Sequence, residues 1–198
     1  MEKVKTGVTA LLLGVAGFFG LPYDAGLAGD APRATAVHAV VPPETAMVDL
    51  AQTLGSYGRA RREGFLLVGN GMVSLLEVTE DNSEENVARL VGVLDGVLME
   101  SAFYDGYEEA GEEAERRDAG ADAYLTAMLR KPLLAGRSVF TLDYVKGEKI
   151  AEVEALGHAD GYVSEAGNRL LDTLPARAPQ KENAADVTRL KQVKNFLA

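Results

Sequence analysis

The sequence predicts an α/β fold built on a parallel sheet, and three observations carry that expectation. From Pro42 onward, short apolar runs alternate with segments of helical pattern. The runs are continuous rather than alternating, as in strands covered on both faces. Each run also ends in a polar residue suited to chemistry. Strands separated by helices need crossover connections, and those connections lay helices on the sheet faces.

The elements follow in order. Pro42-Pro43-Glu44-Thr45 stops an extended segment and opens a helix to about Arg62, with Ala46, Val48, Leu50 and Leu54 as its apolar positions. Gly64 to Gly69 is a strand, followed at once by Asn70-Gly71. Ser83-Glu84-Glu85-Asn86 caps a short helix through Leu90, and Leu94 to Met99 is the next strand, ending at Glu100. Tyr107 to Arg130 reads as one long acidic helix closed by Lys131-Pro132. Ser138 to Leu142 is a strand ending at Asp143-Tyr144, Glu148 to Leu156 a helix, and Gly161-Tyr162-Val163 a last short strand. Pro175 to Asn183 is a polar linker, and Ala184 to Leu197 has the pattern of an amphipathic helix.

Composition bounds the function. At 198 residues, with 47% hydrophobic and 25% charged, the chain has the size and apolar content of one folded domain. It has no cysteine, so thiol nucleophiles, disulfides and thiolate metal sites are excluded. A net charge of -10 opposes nucleic acid and anionic lipid and suits a cationic or neutral polar substrate. No GxGxxG, phosphate-binding loop or G-x-S-x-G motif occurs. His38 and His158 stand isolated, and the acidic run Glu108 to Glu115 with Arg116 and Arg117 reads as a solvated helix face, so no metal site and no cofactor is expected.

Residues 1–30 admit two readings. Glu2-Lys3-Val4-Lys5 followed by the apolar run Val8 to Leu21 has the layout of a secretory signal, though the run is too short to span a membrane. Alternatively, a helix from Lys3 to Val15 precedes a buried strand Phe18–Tyr23 ending at Asp24. The chain then divides into 1–30, a domain over 31–175, and a linker with terminal helix over 176–198. The first reading makes the protein exported, the second leaves a cytoplasmic one.

In folds of this kind chemistry collects beyond the carboxyl ends of the strands. The residues there are Asp24, Asn70, Glu100 with Ser101, Asp143 with Tyr144, and Tyr162 with Ser164. Several of these segments have a familiar form. Asp95-Gly96-Val97-Leu98-Met99-Glu100-Ser101-Ala102-Phe103 resembles the "DGV-x-x-E-S/D-x-F" segment of the endo-α-1,4-polygalactosaminidase family of glycoside hydrolases. Val139 to Val145 is similar to that family's "V-x-x-L/V-D-Y" strand, and Phe65 to Gly71 to its strand ending in Asn. Tyr162-Val163-Ser164 with Leu171-Asp172 resembles its closing segment, and Gly17 to Asp24 its "GFDG-L-x-L-D".

The resemblance implies the later part of a TIM-type (β/α) barrel, about five βα units of a fold that usually takes roughly 250 residues. It also implies cleavage of α-1,4-linked galactosamine or N-acetylgalactosamine polysaccharide by an exported protein. Phe19 and Pro22 depart from the family's pattern, so residues 17–24 read as a degraded copy of that strand.

Glycoside cleavage needs one carboxyl to protonate the leaving oxygen and a second to act as base or nucleophile. Glu100, behind an apolar run that would desolvate it, is the expected acid, Asp24 the partner and Asp143 the reserve. Asn70, Ser101, Tyr144, Tyr162 and Ser164 are the expected sugar contacts. Each has a plain structural alternative: an Asn-Gly turn for Asn70, core packing for the tyrosines, a helix cap or arginine pair for Glu100. A partial barrel also exposes two sheet edges, which allows a non-catalytic carbohydrate-binding remnant held together by a homodimer or another partner.

Overall fold

A computed structural model describes residues 10–14, 41–108, 112–171 and 189–194. The chain runs β1 (Ala10–Gly14), α1 (Pro43–Arg61), β2 (Leu66–Asn70), α2 (Glu84–Val93) and β3 (Gly96–Glu100). It continues through a two-stranded ribbon, β4 (Tyr104–Asp105) and β5 (Glu115–Arg116), to α3 (Ala119–Leu134), β6 (Ser138–Asp143), α4 (Lys149–Asp160) and β7 (Val163–Ala166). The expected α/β class with a parallel sheet holds. Five strands pair in the order β1-β2-β3-β6-β7, all parallel. Among the described residues this is an open row with β1 and β7 at its edges.

Local chemistry explains the elements that form where expected. Pro43 stands in the first turn of α1, where its missing N–H costs no helical bond. Val48, Ala51, Gly55 and Gly58 make the buried stripe of that helix, and Gly58 leaves room for the Phe65 ring. Ser83 caps α2 by accepting from the Asn86 N–H at 3.2 Å.

The two faces of the sheet are covered differently. Leu67, Val97 and Val139 point to one face and join Val48, Ala51, Leu90, Leu129 and Val153 in the main core, so all four helices lie on that side. Val68, Leu98, Phe140 and Leu142 point to the other, where Leu190 and Val193 of a 3₁₀ turn pack on them. No described α-helix covers this second face.

Three expectations in the middle of the chain are corrected. The acidic stretch from Tyr107 is not one helix, because Gly106 takes a left-handed turn (φ 78°) and the chain doubles back as the β4–β5 ribbon. Asp118 then starts α3 by accepting from the Gly120 and Ala121 N–H groups, 2.7 and 2.9 Å away. That helix runs past Pro132, which lies inside its last turn, and ends at Leu134. Gly161 belongs to the end of α4 rather than to a strand. It is left-handed (φ 82°), and the Tyr162 N–H closes back on the Gly157 carbonyl at 2.7 Å, which delays β7 to Val163.

At the termini, Ala10–Gly14 is a strand paired with β2, not part of a helix from Lys3 to Val15. Leu190–Gln192 is a 3₁₀ turn within the stretch expected as a terminal helix. The strand proposed over Phe18–Tyr23, and Asp24 with it, lies outside the described residues. So does the linker proposed over Pro175 to Asn183. Among the described residues no helix is long and apolar enough to cross a membrane.

Candidate active site

Strand register decides which side chains meet. Asn70 ends β2, Glu100 ends β3, and Tyr144 directly follows β6. Alternation along the strands carries Val68 and Asn70, Leu98 and Glu100, and Phe140, Leu142 and Tyr144 onto the helix-free face. At the carboxyl end of that face the three polar residues converge. Asn70 Nδ2 donates to Glu100 Oε1 at 2.6 Å, and the Tyr144 hydroxyl donates to Glu100 Oε2 at 2.6 Å.

Both oxygens of Glu100 therefore act as acceptors, an arrangement that suits a carboxylate rather than a proton donor. Burial, and then the bond to Glu100, push the Tyr144 hydroxyl far above its ordinary value, so it stays a donor. Asn70 Oδ1 is buried and has no hydrogen-bond partner among the described residues. Gly71, left-handed at φ 66°, turns the chain immediately after Asn70, and its N–H donates to the Leu98 carbonyl at 3.1 Å. The Asn-Gly turn and the contact with Glu100 thus coexist.

Asp143 points the other way. It is fully buried on the helix side, and its Oδ1 accepts from the Phe103 and Tyr104 N–H groups, both at 2.9 Å. Desolvation pushes its carboxyl up to about 6, against the pull of those backbone donors and of Arg117. Arg117 braces the same turn: its Nε donates to the Ser101 carbonyl at 2.9 Å, and it pairs with Asp105 at 2.6 Å. Asp143 and Arg117 therefore hold the turn that leaves Glu100, and Asp143 does not join Glu100 on the open face.

Ser101 occupies the first position of that turn with φ 51°, and its N–H donates to the Leu142 carbonyl at 2.7 Å. Ser164 sits within β7 on the helix side, its hydroxyl 2.6 Å from that of Thr141. Tyr162 precedes β7 and stacks on Phe103 with ring centroids 6.5 Å apart, beside a cavity of about 60 Å³ that Arg116, Asp122 and Leu125 also line. Neither Ser164 nor Tyr162 is brought to Glu100. Asp95, in the segment that carries the family resemblance, works at the opposite end of β3. It accepts from the Leu67 N–H at 2.9 Å and pairs with Arg59 at 2.8 Å.

Sequence reasoning missed Glu165. It lies on β7, 6% exposed, in register with Leu142, which is itself in register with Glu100. Its signal was a period of two from Val163, which packs on the helix-free face. Among the described residues no three or more histidine, cysteine or carboxylate side chains gather as a metal site. No protein-family model and no curated protein matches the chain.

Proposed function

We propose that this chain is the later part of a (β/α) barrel glycoside hydrolase that cleaves α-1,4-linked galactosamine-containing polysaccharide, with Glu100 as a reacting carboxyl. The convergence of Asn70, Glu100 and Tyr144 at the strand ends of the helix-free face is the observation that carries this reading. In a barrel that face is the interior and those ends form the substrate mouth. The strand order supports the same reading. It rises steadily with sequence and all four helices lie on one side, whereas a doubly wound sheet reverses its order and takes helices on both.

Asn70 and Tyr144 fix the direction of the Glu100 carboxyl. An acidic protein of net charge -10 also suits a polymer of amino sugars. In this reading the substrate is a polysaccharide met outside the cell.

A non-catalytic, carbohydrate-binding reading has one observation in its favour: the chain's own residues Leu190 and Val193 lie on the helix-free face. One experiment separates the two. The purified chain and its Glu100→Gln variant are incubated with partially deacetylated α-1,4-galactosaminan, and products are sized by mass spectrometry. Hydrolysis by the parent and a loss of about 10²-fold or more in the variant are expected. An intact polymer after incubation with folded parent protein overturns the hydrolase. Light scattering on the same sample reads whether the β1 and β7 edges recruit a second copy, as the open row invites.

A further inference from the structure

Glycosidic bond cleavage by proton transfer needs two carboxyls, and Asn70, Glu100 and Tyr144 supply one. The pairing of the strands supplies another. Glu100 on β3 is in register with Leu142 on β6, and Leu142 with Glu165 on β7. Residues in register across parallel strands share a face, and Val163, two positions before Glu165, packs in the cluster of that face with Leu98, Phe140 and Leu142. The two glutamates therefore stand at one level of the helix-free face with one strand between them. Two strand spacings put their Cα positions about 9.5 Å apart. Side chains rising from one face at that separation fall at the upper end of the roughly 6.5 to 9.5 Å at which a water fits between paired carboxyls.

We infer that Glu165 is the second carboxyl of this site, the proton donor to the leaving oxygen, while Glu100 is the base. This inference rests on the hydrolase reading above. The two environments divide the roles. Glu100 is partly exposed and accepts from two side-chain donors. Glu165 is buried, its Oε1 accepts the N–H of its own neighbour Ala166 at 3.0 Å, and desolvation raises its carboxyl above the ordinary range. A buried carboxyl raised by desolvation, facing a partly exposed one held by two side-chain donors, suits an acid opposite a base.

The chemistry balances without any further reactant. Water attacks the anomeric carbon and gives its proton to Glu100. The bond from that carbon to the glycosidic oxygen breaks, its electron pair stays on the oxygen, and that oxygen takes the proton from Glu165. The exchange of both protons with solvent restores the starting state. Glu165 here takes the place that the family resemblance would give to Asp24, so the two assignments compete.

Leaving-group dependence tests the assignment, because a good leaving group departs without a proton. The parent, Glu165→Gln and Asp24→Asn are compared on the galactosaminan and on a 4-nitrophenyl glycoside of an α-1,4-galactosamine oligomer. Glu165→Gln should lose about 10²- to 10³-fold on the polymer and less than about 10-fold on the aryl glycoside. A merely structural role lowers both rates by the same factor, and that outcome overturns the inference. So does parental activity in Glu165→Gln, or a leaving-group-dependent loss in Asp24→Asn instead. A folded parent inactive on both substrates overturns the hydrolase reading itself, a result distinct from the others because no variant is then needed to see it.

Discussion

Asp143 and Glu100 are both carboxylates at the ends of central strands, yet the structure gives them opposite surroundings. Asp143 faces the helices, is fully buried, and binds backbone N–H groups of the turn that follows β3. Glu100 faces away from the helices, is partly exposed, and is held by the side chains of Asn70 and Tyr144. The difference extends to the two faces on which they stand. One is a conventional core that joins four helices to the sheet. The other carries a smaller apolar cluster below and the polar convergence at its carboxyl end. An acid that organises backbone is expected to matter for folding, and one held by side chains at the strand ends is placed to meet a ligand.

The sharpest way to break this comparison is on the helix side. Leu90 is fully buried in the main core, so Leu90→Ala should lower unfolding free energy by about 2 to 5 kcal/mol in chemical denaturation. A loss below about 1 kcal/mol would show that α2 is not an essential cover of that face.

Asp143 gives the next largest effect, and one that depends on pH. Asp143→Ala strands the Phe103 and Tyr104 N–H groups and should cost on the order of 3 kcal/mol, whereas Asp143→Asn keeps an acceptor oxygen for both. The carboxyl is raised to about 6 from an unfolded value of 3.8, so the folded state favours its protonated form. Its contribution is complete below the unfolded value and is lost as pH rises through about 6. Parent stability should thus fall between about pH 4 and pH 6 by an amount on the order of 3 kcal/mol, a trend that Asp143→Asn abolishes. Identical pH curves for the two proteins would remove the buried charge from the account.

Tyr144→Phe probes the open face with the smallest expected change in stability. It removes one hydrogen bond to a partly exposed carboxylate and should cost about 1 kcal/mol in thermal or chemical unfolding. Hydrolysis of the polymer should fall more than this, because Glu100 loses one of its two orienting donors. Equal activity with reduced stability would mark the Tyr144 hydroxyl as structural rather than functional.

Much of this arrangement was legible in the residues. Ser83 announced the start of α2, and the paired prolines before Glu44 announced α1. Asn70, Glu100 and Tyr144 stood out as polar ends of apolar runs, and those three do meet. The failures share a cause as well. Asp143 and Tyr144 are neighbours in sequence, but a strand sends successive side chains to opposite faces, so a list of run ends could not sort them. Counting by two from Phe140 would have kept Tyr144 and moved Asp143 to the core. The ribbon at Tyr104–Asp105 and Glu115–Arg116 was hidden because its acidic composition mimics a solvated helix. Its Arg116 is instead drawn inward onto Asp122, 2.6 Å away, and the Phe103 carbonyl, 2.9 Å away.

The sequence by itself determined the α/β class, the alternation of helices with the strands of the parallel sheet from Pro43 to β7, and the polar character of the strand ends, but not the β4–β5 ribbon. Those properties depend on periodicity, capping and turn residues, which act over a few positions along the chain. Only the tertiary structure decided which strand ends face one another, that Asp143 braces a turn while Glu100 stands open, and that Glu165 shares a level with Glu100. Such facts depend on register between strands far apart in sequence, where a shift of one residue moves every side chain to the other face.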